Sequence, residues 1–200
     1  MAVVIEEKIT RGLREVGLLG FTALALFLMI ALVTFNYEDA GWSHSGTVDA
    51  INNACGVIGA WVADFILSLF GLMAYLFPVM IFWHGYLLFF RQRTRSANWI
   101  IGLRWFGFVV TLISGASLLY LHMLRTDIEL PGPTGGNIGQ EVGDGLLVLL
   151  GGLGATLALL AALLAGITLF SGVSWLRVID IVGKYTLKIV SFMSKRSSVV

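Results

Sequence analysis

The chain has 200 residues, 58% of them hydrophobic and only 12% charged, with a formal net charge of +1. A soluble domain carries about 25% charged residues, so this composition excludes a surface wetted all round and points to a protein solvated by lipid. Cys55 is the single cysteine, which excludes an intrachain disulfide and a cysteine-based metal site.

In chain order, Ile5, Ile9, Leu13 and Val16 recur at helical spacing among Glu6, Glu7, Lys8 and Arg11. Residues 1–15 therefore read as an amphipathic segment on the inner leaflet. Residues 16–35 hold no charge and form the first expected span. Their apolar run exceeds the roughly 7–15 residues of a secretory signal core, and no small-residue cleavage site follows. The helix is expected to be retained.

Residues 36–64 form an expected outer loop. It opens on "NYEDAGWSHSG", rich in turn formers, and then carries Val48, Ile51, Cys55, Ile58, Trp61 and Phe65 at helical spacing. This predicts a helix on the outer surface that feeds a second span over residues 65–90. Pro78 lies inside that span and is expected to kink it. Residues 91–99 are a short inner loop, and a third span covers 100–124. The second outer loop, 125–152, contains "PGPTGG", followed by Ile138, Val142, Leu146 and Leu150 at four-residue steps. A second outer amphipathic helix is expected there, with a bend at Gly151, Gly152 and Gly154 before a fourth span over 153–176. Residues 177–200 form a basic amphipathic tail, with Asp180 and Lys184 as a favourable i,i+4 pair.

The fold class is thus an all-α polytopic membrane protein. It has four transmembrane helices and amphipathic helices on both faces. Each span has the roughly 20 residues that cross a 30 Å hydrocarbon core. Charge sets the orientation. Arg91, Arg93, Arg95 and Arg104 share one side with both terminal segments, and that side collects twelve of the thirteen cations. Cytoplasmic flanks carry such an excess, so both termini are expected in the cytoplasm. The arginines are a topology signal, with no catalytic role.

Little chemistry is written in the chain. The uncharged cores of the expected spans, with the third running from 105 to 124, hold no Asp, Glu, Lys or Arg, because Asp64 falls at an outer edge; this argues against a coupled transporter. His84 and His122 lie near opposite ends of their helices, a poor geometry for holding one haem. "IVGKYT" lacks the phosphate-loop pattern, and no HExxH, GxSxG or CxxC occurs. No cofactor or metal site is expected. Ala158, Ala162 and Gly166 form a small-xxx-small ridge suited to close helix contact. Trp42, Trp61 and Asp64 are candidate interaction residues on the outer side.

Four stretches, taken in order, carry a resemblance: "LVTFNYEDAGWSHS", "GVIGAWVADFILSLFGLMAYLFP", "GGNIG" and "AGITLFSGVSW". Together they resemble the N-terminal four-helix membrane domain of the FtsK/SpoIIIE-type cell-division DNA translocases. The resemblance implies an inner-membrane protein at the division septum that contacts other division proteins. It also implies a linker and a hexameric motor beyond Val200. ATP, Mg and DNA would engage only that motor, and self-association would follow from it. The alternative is a small membrane enzyme or carrier for a lipid-linked cell-wall precursor, with the outer acids at its site.

Overall fold

Backbone amides in an apolar run find no water and must bond along their own helix. The computed structural model follows this rule. It describes residues 2–46, 51–90, 98–123, 129–172, 174–175, 179–180 and 183–187, and among them there is no β-strand. Five helices follow in order: α1 (Ala2–Val33), α2 (Gly56–Phe70), α3 (Leu76–Phe90), α4 (Asn98–His122) and α5 (Gly136–Ser171). A 3₁₀ turn, Gly71–Tyr75, joins α2 to α3. Four stretches are long and apolar enough to cross a membrane: Glu15–Val33, Gly56–Tyr86, Trp99–His122 and Gly136–Ser171. The all-α, four-span architecture expected from hydropathy is the one observed. The terminal segment and the first span are a single helix.

Two of the four stretches are folded back on themselves. The Cys55 thiol donates to the Phe27 carbonyl at 3.4 Å, and the Tyr75 hydroxyl to the Leu32 carbonyl at 3.2 Å. Both acceptors lie in the last two turns of α1. A straight helix would separate residues 55 and 75 by about 30 Å, beyond the reach of these two side chains. The chain therefore turns at Gly71, whose φ of 55° is closed to most residues. α2 becomes an arm folded over the end of α1, and α3 runs back alongside it, with Gly85 seated against Phe21. The bend lies at Gly71 and not at Pro78. Pro78 occupies the first turn of α3, where its missing N–H costs no helical bond.

α5 does the same on α4. Gly139 is so near Ala116 that a Cβ there would sit 2.6 Å from the Ala116 carbonyl oxygen. Gly166 is equally close to Gly107 and Thr111. Twenty-seven residues of straight helix span about 40 Å, whereas residues 107–116 of α4 cover about 14 Å. The break is Gly151, with φ 67° and ψ 174°. Residues 136–150 run along α4, and residues 152–171 return down it. Glycines at these contacts let the backbones approach closely, which is how helices associate where lipid removes the hydrophobic driving force.

Two apolar clusters join the parts. Leu28, Ala31, Leu32, Ala63, Leu67 and Ala74 close the first half. Met80, Phe108 and Leu112 meet Phe77 and Phe170 between the halves. Phe77 lies edge-on to Phe108 with ring centroids 5.5 Å apart, a favoured aromatic geometry.

Candidate functional site

The loop after α1 is where polar chemistry gathers. A helix end leaves carbonyls unbonded, and here the loop supplies the donors. The Asn53 side-chain amide donates to the Ala31 carbonyl at 2.8 Å and the Thr34 carbonyl at 3.3 Å. Its oxygen accepts from the Cys55 amide at 2.9 Å, just ahead of α2. Asp39, itself buried, accepts from the amides of Asn52 and Asn53 at 2.7 and 2.9 Å. The Thr34 hydroxyl accepts from the Ala54 amide at 3.1 Å. Residues 51–53 are not helical, and the Asn52 and Asn53 amides serve this clasp. The outer helix predicted from residue 48 starts only at Gly56 in the described residues.

Asp64 sits in the middle of α2 and is 0% exposed. Its carboxyl group accepts from the Ser43 amide at 2.5 Å and the Ser43 hydroxyl at 2.8 Å. His44 lies beside it, with Nδ1 3.8 Å from Asp64 Oδ1. The His44 ring stacks on Tyr37 at 4.4 Å, and Nε2 donates to the Tyr37 carbonyl. Serine, histidine and aspartate thus meet, but in the wrong order for a nucleophile. The serine hydroxyl lies within reach of both the carboxyl group and His44 Nδ1, 3.0 Å away, while Nε2 is occupied by a backbone carbonyl; nucleophilic activation needs the imidazole between the other two, one ring nitrogen to each.

What this arrangement does is hold Trp42. Trp42 precedes Ser43 and meets Phe65 edge-on at 5.2 Å. Trp42 and Trp61 are each about half exposed, at 47% and 50%. They flank an apolar groove of about 720 Å³ that continues past Phe65 and Phe70 to Trp105 and Phe108. The structure brings Trp42, Trp61 and Asp64 into one region with different parts. The tryptophans present surface. Asp64 is fully buried, so it cannot be an exposed docking contact as expected; it anchors the loop that carries Trp42.

The other expected residues lie elsewhere. Along Ala158, Ala162 and Gly166, each four-residue step advances about 40° around the helix. Ala158 is exposed, Ala162 is partly buried, and Gly166 alone is fully buried against α4. Arg104 stands in the second turn of α4. Arg91, Arg93 and Arg95 lie outside the described residues. His84 rests between Phe21 and Trp105, and His122 Nε2 meets the Thr156 hydroxyl at 3.0 Å, at the other end of α4. Hydropathy and motif reading passed over Asp39, Asn53 and the Gly139–Gly143 contact. The last was legible as Gly135-xxx-Gly139-xxx-Gly143.

Comparison with known proteins places the chain. Residues 10–183 match the family described as the 4TM region of DNA translocase FtsK/SpoIIIE. The chain is 36% identical over 178 residues to the DNA translocase FtsK of Pseudomonas putida, covering 88% of this chain and 21% of that protein. It is 37% identical over 173 residues to DNA translocase FtsK of Shewanella oneidensis, covering 86% of this chain and 19% of that protein. It is 33% identical over 186 residues to DNA translocase FtsK 2 of Ralstonia nicotianae, covering 90% and 24%. The chain spans about a fifth of the length of these relatives. No solved structure matches it. With four apolar helices and a family match over most of its length, this multi-pass inner-membrane chain belongs to the 4TM region of the FtsK/SpoIIIE DNA translocases.

Proposed function

We propose that the chain is the anchoring and partner-binding domain of a septal, ATP-driven DNA translocase that acts in cell division and chromosome segregation. The observation that carries this reading is the match of residues 10–183 to the membrane region of that family, on a chain of four apolar helices. The cation distribution supports cytoplasmic termini. A motor that follows the tail would then act on DNA in the cytoplasm, and ATP and Mg would belong to that motor. Copies associate, as a hexameric motor requires.

On the opposite face, Trp42 and Trp61 suit contact with other division proteins. Half-exposed, rigidly backed aromatics are the commonest anchors of protein interfaces. The Asp64–Ser43 and Asp39–Asn53 clasps supply the rigidity. The same wiring of Ser43, His44 and Asp64 weighs against an enzyme acting on lipid-linked precursors.

Imaging tests the reading. Full-length protein carrying Trp42→Ala and Trp61→Ala, fused to a fluorescent tag, is expected to insert in the membrane but to gather less at the septum than the parent. Undiminished septal gathering at equal expression would remove the tryptophans from the recruiting surface. A parent protein spread evenly round the cell would remove the septal reading itself.

A further inference from the structure

The contacts among Tyr37, Ser43, His44 and Asp64 can be counted in protons. A backbone carbonyl only accepts, so the contact between His44 Nε2 and the Tyr37 carbonyl places a proton on Nε2. Ser43 Oγ has two further neighbours, His44 Nδ1 at 3.0 Å and Asp64 Oδ1 at 2.8 Å. Each contact needs one proton between its two atoms to be a hydrogen bond. A neutral imidazole protonated on Nε2 has none on Nδ1, a carboxylate has none on Oδ1, and the hydroxyl has one. Two contacts therefore share one proton. Asp64 Oδ2 does not supply another, because it accepts from the Ser43 amide. One further proton completes the set. On Nδ1, the imidazolium donates to Oγ and the hydroxyl donates to Asp64. On Oδ1, the acid donates to Oγ and the hydroxyl donates to Nδ1.

Charge asks for the same proton. Asp64 is 0% exposed, and a buried carboxylate without a countercharge is costly. The sequence holds no Lys or Arg between Arg14 and Arg91. Among the described residues, the basic group beside Asp64 is His44, with Nδ1 3.8 Å from Oδ1. The surroundings offer no other source. α1 beyond Glu15 carries no titratable side chain, and α2 carries Asp64 alone. In the loop, Tyr37 stacks on the imidazole, Glu38 is exposed, and Asp39 accepts from the Asn52 and Asn53 amides. Among the described residues, no hydrogen bond or ion pair joins His44 or Asp64 to α4 or α5.

We propose that Ser43, His44 and Asp64 form a proton-binding site that latches the loop carrying Trp42. Docking of the loop on α2 takes up one proton from solvent, held between His44 and Asp64 through Ser43. Undocking returns it. The docked loop holds one proton more than the undocked loop wherever a free imidazole has lost its own. Docking therefore weakens as pH rises above about 6.5. The His44 side chain is 18% exposed, so solvent reaches the proton while Asp64 stays dry. Trp42 is next to Ser43 and meets Phe65 while the loop is docked. Proton loss frees it from that place. The site stands apart from the division role, because it binds its proton whether or not Trp42 meets a partner.

Hydrogen exchange of the Ser43 amide in the full-length protein in nanodiscs tests this, with each rate divided by the intrinsic rate at its pH. Between about pH 6.5 and about pH 8.5 the protection of that amide is expected to fall about tenfold. One proton allows at most about a hundredfold over those two units. Amides within α4 are expected to keep their protection. Two variants separate the imidazole from general loosening. His44→Phe keeps a ring against Tyr37 but holds no proton, and His44→Asn offers a permanent N–H donor in place of Nδ1. In both, Ser43 protection is expected to be equal at the two pH values. Parent protection that does not change with pH overturns the site. So does a tenfold fall that persists in either variant whose α4 amides remain protected.

Discussion

Replacing Asp64 by alanine isolates the part this buried residue plays. The change removes two hydrogen bonds to the carboxyl group, from the Ser43 amide and the Ser43 hydroxyl; the amide loses its acceptor, and the hydroxyl keeps only His44 Nδ1 at 3.0 Å. A buried donor left unpaired costs about 1–3 kcal/mol. Ser43 is itself exposed, so water recovers part of the loss and the low end of the range applies to each. Undocking of the loop over residues 41–46 should become easier by about 2 kcal/mol, roughly thirtyfold in its equilibrium. Hydrogen exchange of the Ser43 amide, followed by mass spectrometry in nanodiscs, reads this directly. Asp64→Asn keeps one acceptor oxygen and should lose about half as much, roughly fivefold. Amides within α4 should exchange as in the parent, which separates local undocking from unfolding. If Ser43 exchanges at the parent rate in Asp64→Ala, the carboxyl group does not hold the loop, and Trp42 is positioned by something else.

Three further outcomes are expected. Asn53→Ala removes two donors to the end of α1 and the acceptor ahead of α2, and should lower stability by about 2–4 kcal/mol in thermal unfolding. Gly151→Ala forces a side chain into a backbone region open almost only to glycine, at a cost of about 1–3 kcal/mol; an SDS-denaturation midpoint measures it. Ser68 carries a buried hydroxyl without a partner among the described residues, so Ser68→Ala should leave that midpoint unchanged or raise it.

The spans were legible because long apolar runs allow little but helix, and the Gly151 break was legible because three glycines cluster there. The fold-back at Gly71 was hidden. Its surroundings, "SLFGLMAYLFP", are apolar throughout, so neither polarity nor periodicity changes where the chain turns. The helix predicted from residue 48 followed an apolar period that Asn52 and Asn53 interrupt, and the clasp to Asp39 outweighs that period. Asp64 looked like an edge residue because hydropathy cannot see a loop returning across 21 residues to cover it.

The folded-back limbs also bear on how the chain is made. The hydrogen bonds and the glycine contact that close the first unit, α1 to α3, lie within residues 2–90. Synthesis runs at about 5–20 residues per second, so the 81 residues from there to the end of α5 take on the order of 10 s. During that interval the first unit can close as a finished hairpin in the bilayer, with Leu69, Phe70 and Gly71 still uncovered. The second unit then arrives as another closed hairpin and docks on that edge through Thr134 and Gly136. Assembly by local closure, followed by one docking step, spares the chain any need to thread a late helix between early ones.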